Sequence, residues 1–352
     1  MDSMRSVLMI LGIVLHSANI FRDANWGIQD IYTSVTFDYL VEFIHLFRMP
    51  AFFIVSGYFC HMTLKKNQSW QFCKVRIPRI IIPLIVTIFS LNIIQNIILT
   101  KFGTHTLQFV NIEYWITGKW VSHLWFLICL VYYFCISAFL YEYCPGTLER
   151  LKSSLNFLIN KTKYLYLLII PIGSLFLIKI SYLMPVALES DFNYSLSESI
   201  QYSCYFIFGI ILGTNKTLLD GFTRPNFYTT LICIALLIFS LKNPQTHPFI
   251  KLYAESLSIW IMCSFCFLIF HTFFNKKSKV FTYLAEASYS IYLFHHILVI
   301  MFGVLIIQLE INIFIKFLLI IVSTFVTANV IHNYIIRRNV IAGYLFNGRK
   351  YA

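Results

Sequence analysis

Ten apolar runs follow one another along this 352-residue chain, with no soluble-sized polar block between them. They lie near 5–21, 39–63, 79–100, 122–141, 164–184, 200–214, 226–241, 254–274, 283–307 and 312–335. A bilayer core takes about 20 apolar helical residues to cross, and inside it every backbone polar group must bond within its own segment. These runs therefore predict an all-α fold: a polytopic transmembrane helical bundle of about ten spans, read as one integral membrane domain over 1–352. Charged residues make up 12% of the chain, against about 25% in soluble domains, which fits that class.

Charge also sets an orientation. The net charge of +12 does not point to nucleic acid, because the basic residues fall in short loops between apolar runs. With the N-terminus in the cytoplasm, the inner loops carry Lys65, Lys66, Lys74, Arg76, Arg79, Arg150, Lys152, Lys161, Lys163, Lys216, Arg224, Lys276, Lys277 and Lys279, and the tail adds Arg337, Arg338, Arg349 and Lys350. The outer loops carry Arg22, Lys101, Lys119, Lys242 and Lys251. The excess predicts both termini inside. The loop 185–199 has Glu189, Asp191 and Glu198 and no base, as an outer face allows. Residues 2–21 show no small-residue cleavage pattern, so the first run is expected to be a retained span. Cys263 and Cys266 form a CxxC pattern inside a span without a second pair, so they are expected to be packing residues and not a metal site.

Polar residues inside such runs are candidate functional groups, because burying them in hydrocarbon is costly. Arg5 and His16 are eleven positions apart, about three helical turns plus 20°, and so share one face. The rise is about 16 Å, which puts His16 deep if Arg5 is at a surface. In the second run, His45 and Arg48 are i,i+3 on one stripe with Glu42, facing a cavity or anchoring the helix end. Ser56-Gly57 lets another backbone come close. Arg76 and Arg79 repeat the i,i+3 spacing at a helix start, where paired guanidiniums suit phosphate and also suit plain anchoring. His123 and Trp125 open the fourth run. His295 falls mid-span in the ninth, with Ser288 and Tyr292 near its face.

These motifs come in a fixed order. Asp2-Ser-Met-Arg5 with His16, Phe52-Phe-Ile-Val-Ser-Gly-Tyr-Phe59, Arg76-Ile-Pro-Arg79, His123-Leu-Trp-Phe-Leu127 and Ser288-Tyr-Ser-Ile-Tyr-Leu-Phe-His295 together resemble the acyltransferase 3 family of integral membrane acyltransferases. Phe43-Ile-His-Leu-Phe-Arg-Met49 is similar to the branch of that family that succinylates periplasmic glucans. The resemblance implies a cytoplasmic acyl-CoA donor, with succinyl-CoA as co-substrate and no bound cofactor. It implies a cell-envelope glycan acceptor and residence in the bacterial inner membrane among its lipids. It maps His16 onto the catalytic residue and Arg76 and Arg79 onto the donor's phosphates, with Arg5 beside them at the cytoplasmic mouth. No metal and no nucleic acid are expected.

Acyl transfer to a sugar hydroxyl needs a base for the hydroxyl proton and a donor for the charge that develops on the thioester oxygen. His16 suits the first role. His45, Arg48, His123, Trp125 and His295 are the candidates for acceptor binding or oxyanion stabilisation. Alternative readings are transfer to another envelope polysaccharide, such as O-antigen or exopolysaccharide, and a transporter or flippase, for which intramembrane Arg and His are equally suited.

Overall fold

The computed structural model describes residues 2–349, apart from 25, 104–108, 117, 148, 151–152, 155–156, 158–165, 184–190, 244–246 and 275–277. Regular structure among the described residues is all helix. In chain order the helices are α1 (Asp2–Ala18), α2 (Val35–Leu64), α3 (Ser69–Arg76), α4 (Pro78–Phe89), α5 (Leu91–Phe102) and α6 (Ile112–Ile116). After a 3-10 turn at Ser122–Leu124 come α7 (Trp125–Tyr143), α8 (Tyr166–Leu183), α9 (Asp191–Thr214), α10 (Lys216–Phe222) and α11 (Phe227–Lys242). The last are α12 (Pro248–Phe273), α13 (Lys279–Ile306), α14 (Ile313–Val330), which runs into a π turn at Ile331–Ile336, and α15 (Val340–Asn347).

Each of the ten apolar runs contains a helix. Among the described residues, six stretches are long and apolar enough to cross a bilayer: Val35–Leu64, Ser69–Phe102, Ser122–Tyr143, Pro248–Phe273, Lys279–Ile306 and Ile313–Ile336. The pair Lys216–Phe222 and Phe227–Ser240, bent by 50°, adds a seventh if it is one span. The first helix has 17 residues and includes Asp2 and Arg5, and the apolar stretch Tyr166–Ser181 is also short. Part of the expected acidic loop 185–199 is helical, since α9 begins at Asp191; residues 184–190 lie outside the described residues.

Local chemistry explains the helix starts. Ser34, Asn226, Asn312 and Asn339 each accept a backbone N–H in the first turn of the helix that follows, replacing bonds the helix itself cannot make. Pro78 and Pro248 open α4 and α12, where a missing N–H costs nothing.

The most extensive packing is between α2 and α9. It depends on two glycines. A Cβ on Gly57 would lie 2.0 Å from the Phe206 carbonyl oxygen, and one on Gly209 would lie 2.0 Å from that of Ile54. The close approach expected at Ser56-Gly57 is therefore real, and α9 is the partner. α1 is the central helix, packed on α13, α2 and α14, with Met4, Leu8, Ile13, Leu15 and Ala18 at most 2% exposed. In contrast, α14 turns Leu318, Val322 and Val326 outward, an apolar face suited to lipid. Cys263 and Cys266 are buried in the apolar core around α12, as expected of packing residues.

The segment between α1 and α2 folds back over the end of α1. The Asp30 amide donates to the Ile20 carbonyl and the Ser34 amide to that of Phe21. Two ion pairs fasten it: Arg22 to Asp38 at 3.0 Å, and a buried pair between Asp30 and Lys316 of α14 at 2.7 Å. Lys316 Nζ also donates to the Ile307 carbonyl at 2.9 Å.

Candidate active site

Two cavities follow the polar face of α1. The first, about 160 Å³, is lined by Arg5 of α1, Arg76 and Arg79 from either side of the α3–α4 junction, and Arg349 after α15. The second, about 90 Å³, is lined by His16, His45, Arg48, His123, Trp125, Tyr292 and His295. Met9, Phe52 and Phe126 line both, so a thin apolar wall is shared between them. The helical spacing that aligned Arg5 with His16 thus puts each in a different, adjoining chamber.

Each residue expected to catalyse, to bind the donor or to meet the acceptor lines one of the two. The three arginines are in the first, and the histidines, Arg48 and Trp125 are in the second. His45 and Arg48 share a cavity-facing stripe, whereas Glu42 lines neither cavity, as an anchoring residue would. Ser122, at φ 45°, is the one non-glycine residue with positive φ among those described, and it turns the chain immediately before His123.

In the arginine cavity, the Arg5 Nη2 donates to the Ala285 carbonyl at 3.3 Å and sits 3.7 Å from Asp2, while its Nε is buried without a partner. The Arg76 Nη2 donates to Thr63 Oγ1 at 3.2 Å, which ties α3 to the end of α2.

The second cavity is a histidine cluster. The His16 ring lies 5.3 Å from that of His295 and 4.7 Å from that of His296. The His123 ring stacks on His296 at 4.6 Å. His295 Nδ1 is 2.5 Å from the Tyr292 carbonyl oxygen. A carbonyl only accepts, so His295 carries its proton on Nδ1 and leaves a lone pair on Nε2. That Nε2 is buried and unpartnered, as are His16 Nδ1 and both ring nitrogens of His123. A neutral His295 therefore receives a proton or a hydrogen bond at Nε2 and does not donate there. This suits a hydroxyl acceptor better than an oxyanion. Arg48 makes no ion pair among the described residues, and its Nη2 reaches only Met49 Sδ, at 3.6 Å. It is a fixed cation at the chamber wall.

Several participants were not singled out from the sequence. His296 is held by Gln95, whose Oε1 is 2.7 Å from Nδ1. Its sequence signal is its place beside His295, at the end of the string Tyr292-Leu-Phe-His-His296. Trp26, in the fold-back segment, stacks on His16 at 6.0 Å between centroids and meets His296 edge-on at 5.7 Å, roofing the cluster. Tyr292, already placed near the face of His295 by the sequence, donates to the His123 carbonyl at 2.6 Å, linking α13 to the turn before α7. Gly12, four residues before His16, leaves open the gap between two of the polar groups. A Cβ there would lie 3.1 Å from His295 Nε2 and 3.4 Å from Arg48 Nη1. The i,i+4 spacing to His16 is the signal that could have found it.

The arrangement is a basic chamber that adjoins, through an apolar partition, a chamber of imidazoles with unpartnered ring nitrogens. It can hold a polyanionic carrier at one end and deprotonate a hydroxyl at the other. Residues 1–332 match the acyltransferase domain of the Acyl_transf_3 family. The chain is 29% identical over 317 residues to Glucans biosynthesis protein C of Salmonella gallinarum, covering 86% of this chain and 82% of that one. It is 27% identical over 318 residues to the protein of that name in Escherichia coli K12, with the same coverage. No solved structure matches. With a match over nearly its whole length and a bundle of long apolar helices, the chain belongs to the acyltransferase 3 family and is a multi-pass membrane acyltransferase.

Proposed function

We propose that the protein moves a succinyl group from cytoplasmic succinyl-CoA to hydroxyls of periplasmic glucans across the bacterial inner membrane, with His16 as general base. One observation carries this reading: the arginine cavity and the imidazole cavity adjoin across Met9, Phe52 and Phe126. The donor's phosphates would stay with Arg5, Arg76 and Arg79. Its pantetheine arm, about 15–20 Å long, is comparable to the rise from Arg5 to His16. The acyl carbon would cross the partition and meet the hydroxyl beside His16. His16 takes the hydroxyl proton as the C–O bond forms, the C–S bond breaks, and the proton passes to the CoA thiolate. Arg48 is a cation for the thioester oxygen or for the free carboxylate of the succinyl group. His295 accepts from a glycan hydroxyl at Nε2. The names of the relatives support a glucan acceptor.

The test uses purified protein in detergent with labelled succinyl-CoA and a β-glucan. The expected result is free CoA in step with alkali-labile label on the glycan, read by thiol assay and mass spectrometry. A transporter releases no CoA, and that result would sink the proposal.

Two substitutions separate the chambers. Arg76→Ala with Arg79→Ala is expected to raise the donor KM at least about tenfold while kcat falls much less, since each guanidinium supplies charge-assisted bonds to phosphate. An unchanged donor KM would mean that the pair only anchors the helix. Gly12→Ala is expected to act in the opposite way. Ala favours an α-helix over Gly by roughly 0.5–1 kcal/mol, so the melting temperature holds or rises. The added Cβ enters the gap between His295 and Arg48, so turnover drops at least about tenfold. Undiminished turnover would show that the reacting atoms do not pass there.

A further inference from the structure

Four arginines line the first cavity, and one lies beyond the family match, which ends at residue 332. Arg349 follows α15, an eight-residue helix with its own cap at each end. At its start Asn339 accepts from the amides of Ile341 and Ala342. At its end Gly348 adopts φ 58°, and its N–H bonds back into the last turn. The helix packs along α4, and Gly348 meets the backbone of Arg79: a Cβ there would lie 2.4 Å from Arg79 Cα. An L side chain is excluded twice, by the left-handed backbone and by the space. The terminal cap is thus docked on the second arginine of the Arg76–Arg79 motif, and the next residue is Arg349, on the cavity wall.

The charge there calls for a ligand. Arg349 is within electrostatic reach of both Arg5 and Arg76. Among the lining residues the one acid is Glu286, which faces Arg337 at 3.7 Å. Asp2 lies 3.7 Å from Arg5, and like charges brought this close are stabilised when a polyanion lies between them. A CoA thioester has a pyrophosphate and a ribose phosphate, more anionic groups than the two motif arginines can hold bidentately.

We propose that Arg349, delivered by α15 and its Gly348 cap, binds a phosphate of the CoA donor, so that the C-terminal helix is a wall of the donor site. The proposal rests on the donor reading above. The test compares CoA with pantetheine, which lacks the phosphates, by calorimetric titration of the full chain in nanodiscs with and without phosphatidylglycerol. The wild type is expected to prefer CoA. Arg349→Ala is expected to cut that preference about tenfold, as loss of one charge-assisted phosphate contact would, and Arg349→Lys to restore part of it. If the wild type prefers CoA and Arg349→Ala keeps the whole preference, this inference is overturned and the donor reading stands. The same holds if the variant loses only co-purifying phosphatidylglycerol, which assigns Arg349 to a lipid headgroup. A wild type with no preference for CoA overturns both.

Discussion

His16→Ala is expected to insert, fold and accumulate like the wild type and to transfer no measurable acyl group. A positioned general base contributes about 10²–10⁴ in rate, and a sugar hydroxyl is too weak a nucleophile to react without one. His16 Nδ1 is buried with no partner, so its loss removes no hydrogen bond at that atom on which the fold depends. The neighbouring imidazoles provide the control. His295 also has an unpartnered Nε2, with its ring 5.3 Å away, and is the group that would act if the assignment were reversed. We expect His295→Ala to weaken acceptor KM as well as turnover, because it would bind the hydroxyl without being the main base. Transfer by His16→Ala above about a tenth of the wild-type rate would remove His16 from the base role.

Lys316→Met is expected to give the largest loss of stability. Lys316 and Asp30 are 3% and 2% exposed and 2.7 Å apart. Removing one member leaves the other charge buried and unpaired, typically at a cost of about 3–5 kcal/mol. Replacing both, as Lys316→Met with Asp30→Leu, should recover most of that loss, since the desolvation penalty goes with the charges. The consequence reaches the site. Asp30 clamps the fold-back segment, and that segment holds Trp26 over His16 and His296. The single variant should therefore lose apparent melting temperature in detergent and turnover together. A melting temperature within a degree or two of wild type would mean that the pair does not clamp the segment. A stable variant with full turnover would also remove Trp26 from the roof of the site.

Some of this chemistry was readable from spacing alone. The alignment of Arg5 with His16, and of His45 with Arg48, depends only on the 100° step of a helix, and both pairs line cavities as that step requires. The Ser56-Gly57 approach was equally legible, because a glycine on an apolar helix has few other uses. His296, Gly12 and Trp26 were not. His296 was overshadowed by its neighbour, because two adjacent residues point about 100° apart and only the neighbouring helices decide which meets the site. Gly12 reads as a small packing residue until the side chains opposite it are known. Trp26 lies in a segment without periodicity, so nothing local marks the direction of its ring.

The order of apolar runs determined the class of fold, and the residues within them determined which helix faces carry polar groups. These follow from bilayer thickness and helix geometry, which act on each segment separately. Only the tertiary structure decided that the polar faces meet as two chambers with one apolar partition, and that a helix beyond the family match brings Arg349 to the first. Contacts between helices far apart in sequence arise from packing shape, such as the Gly57–Gly209 crossing and the seat of Gly348 on Arg79. Such complementarity belongs to pairs of surfaces and is not carried by either segment alone.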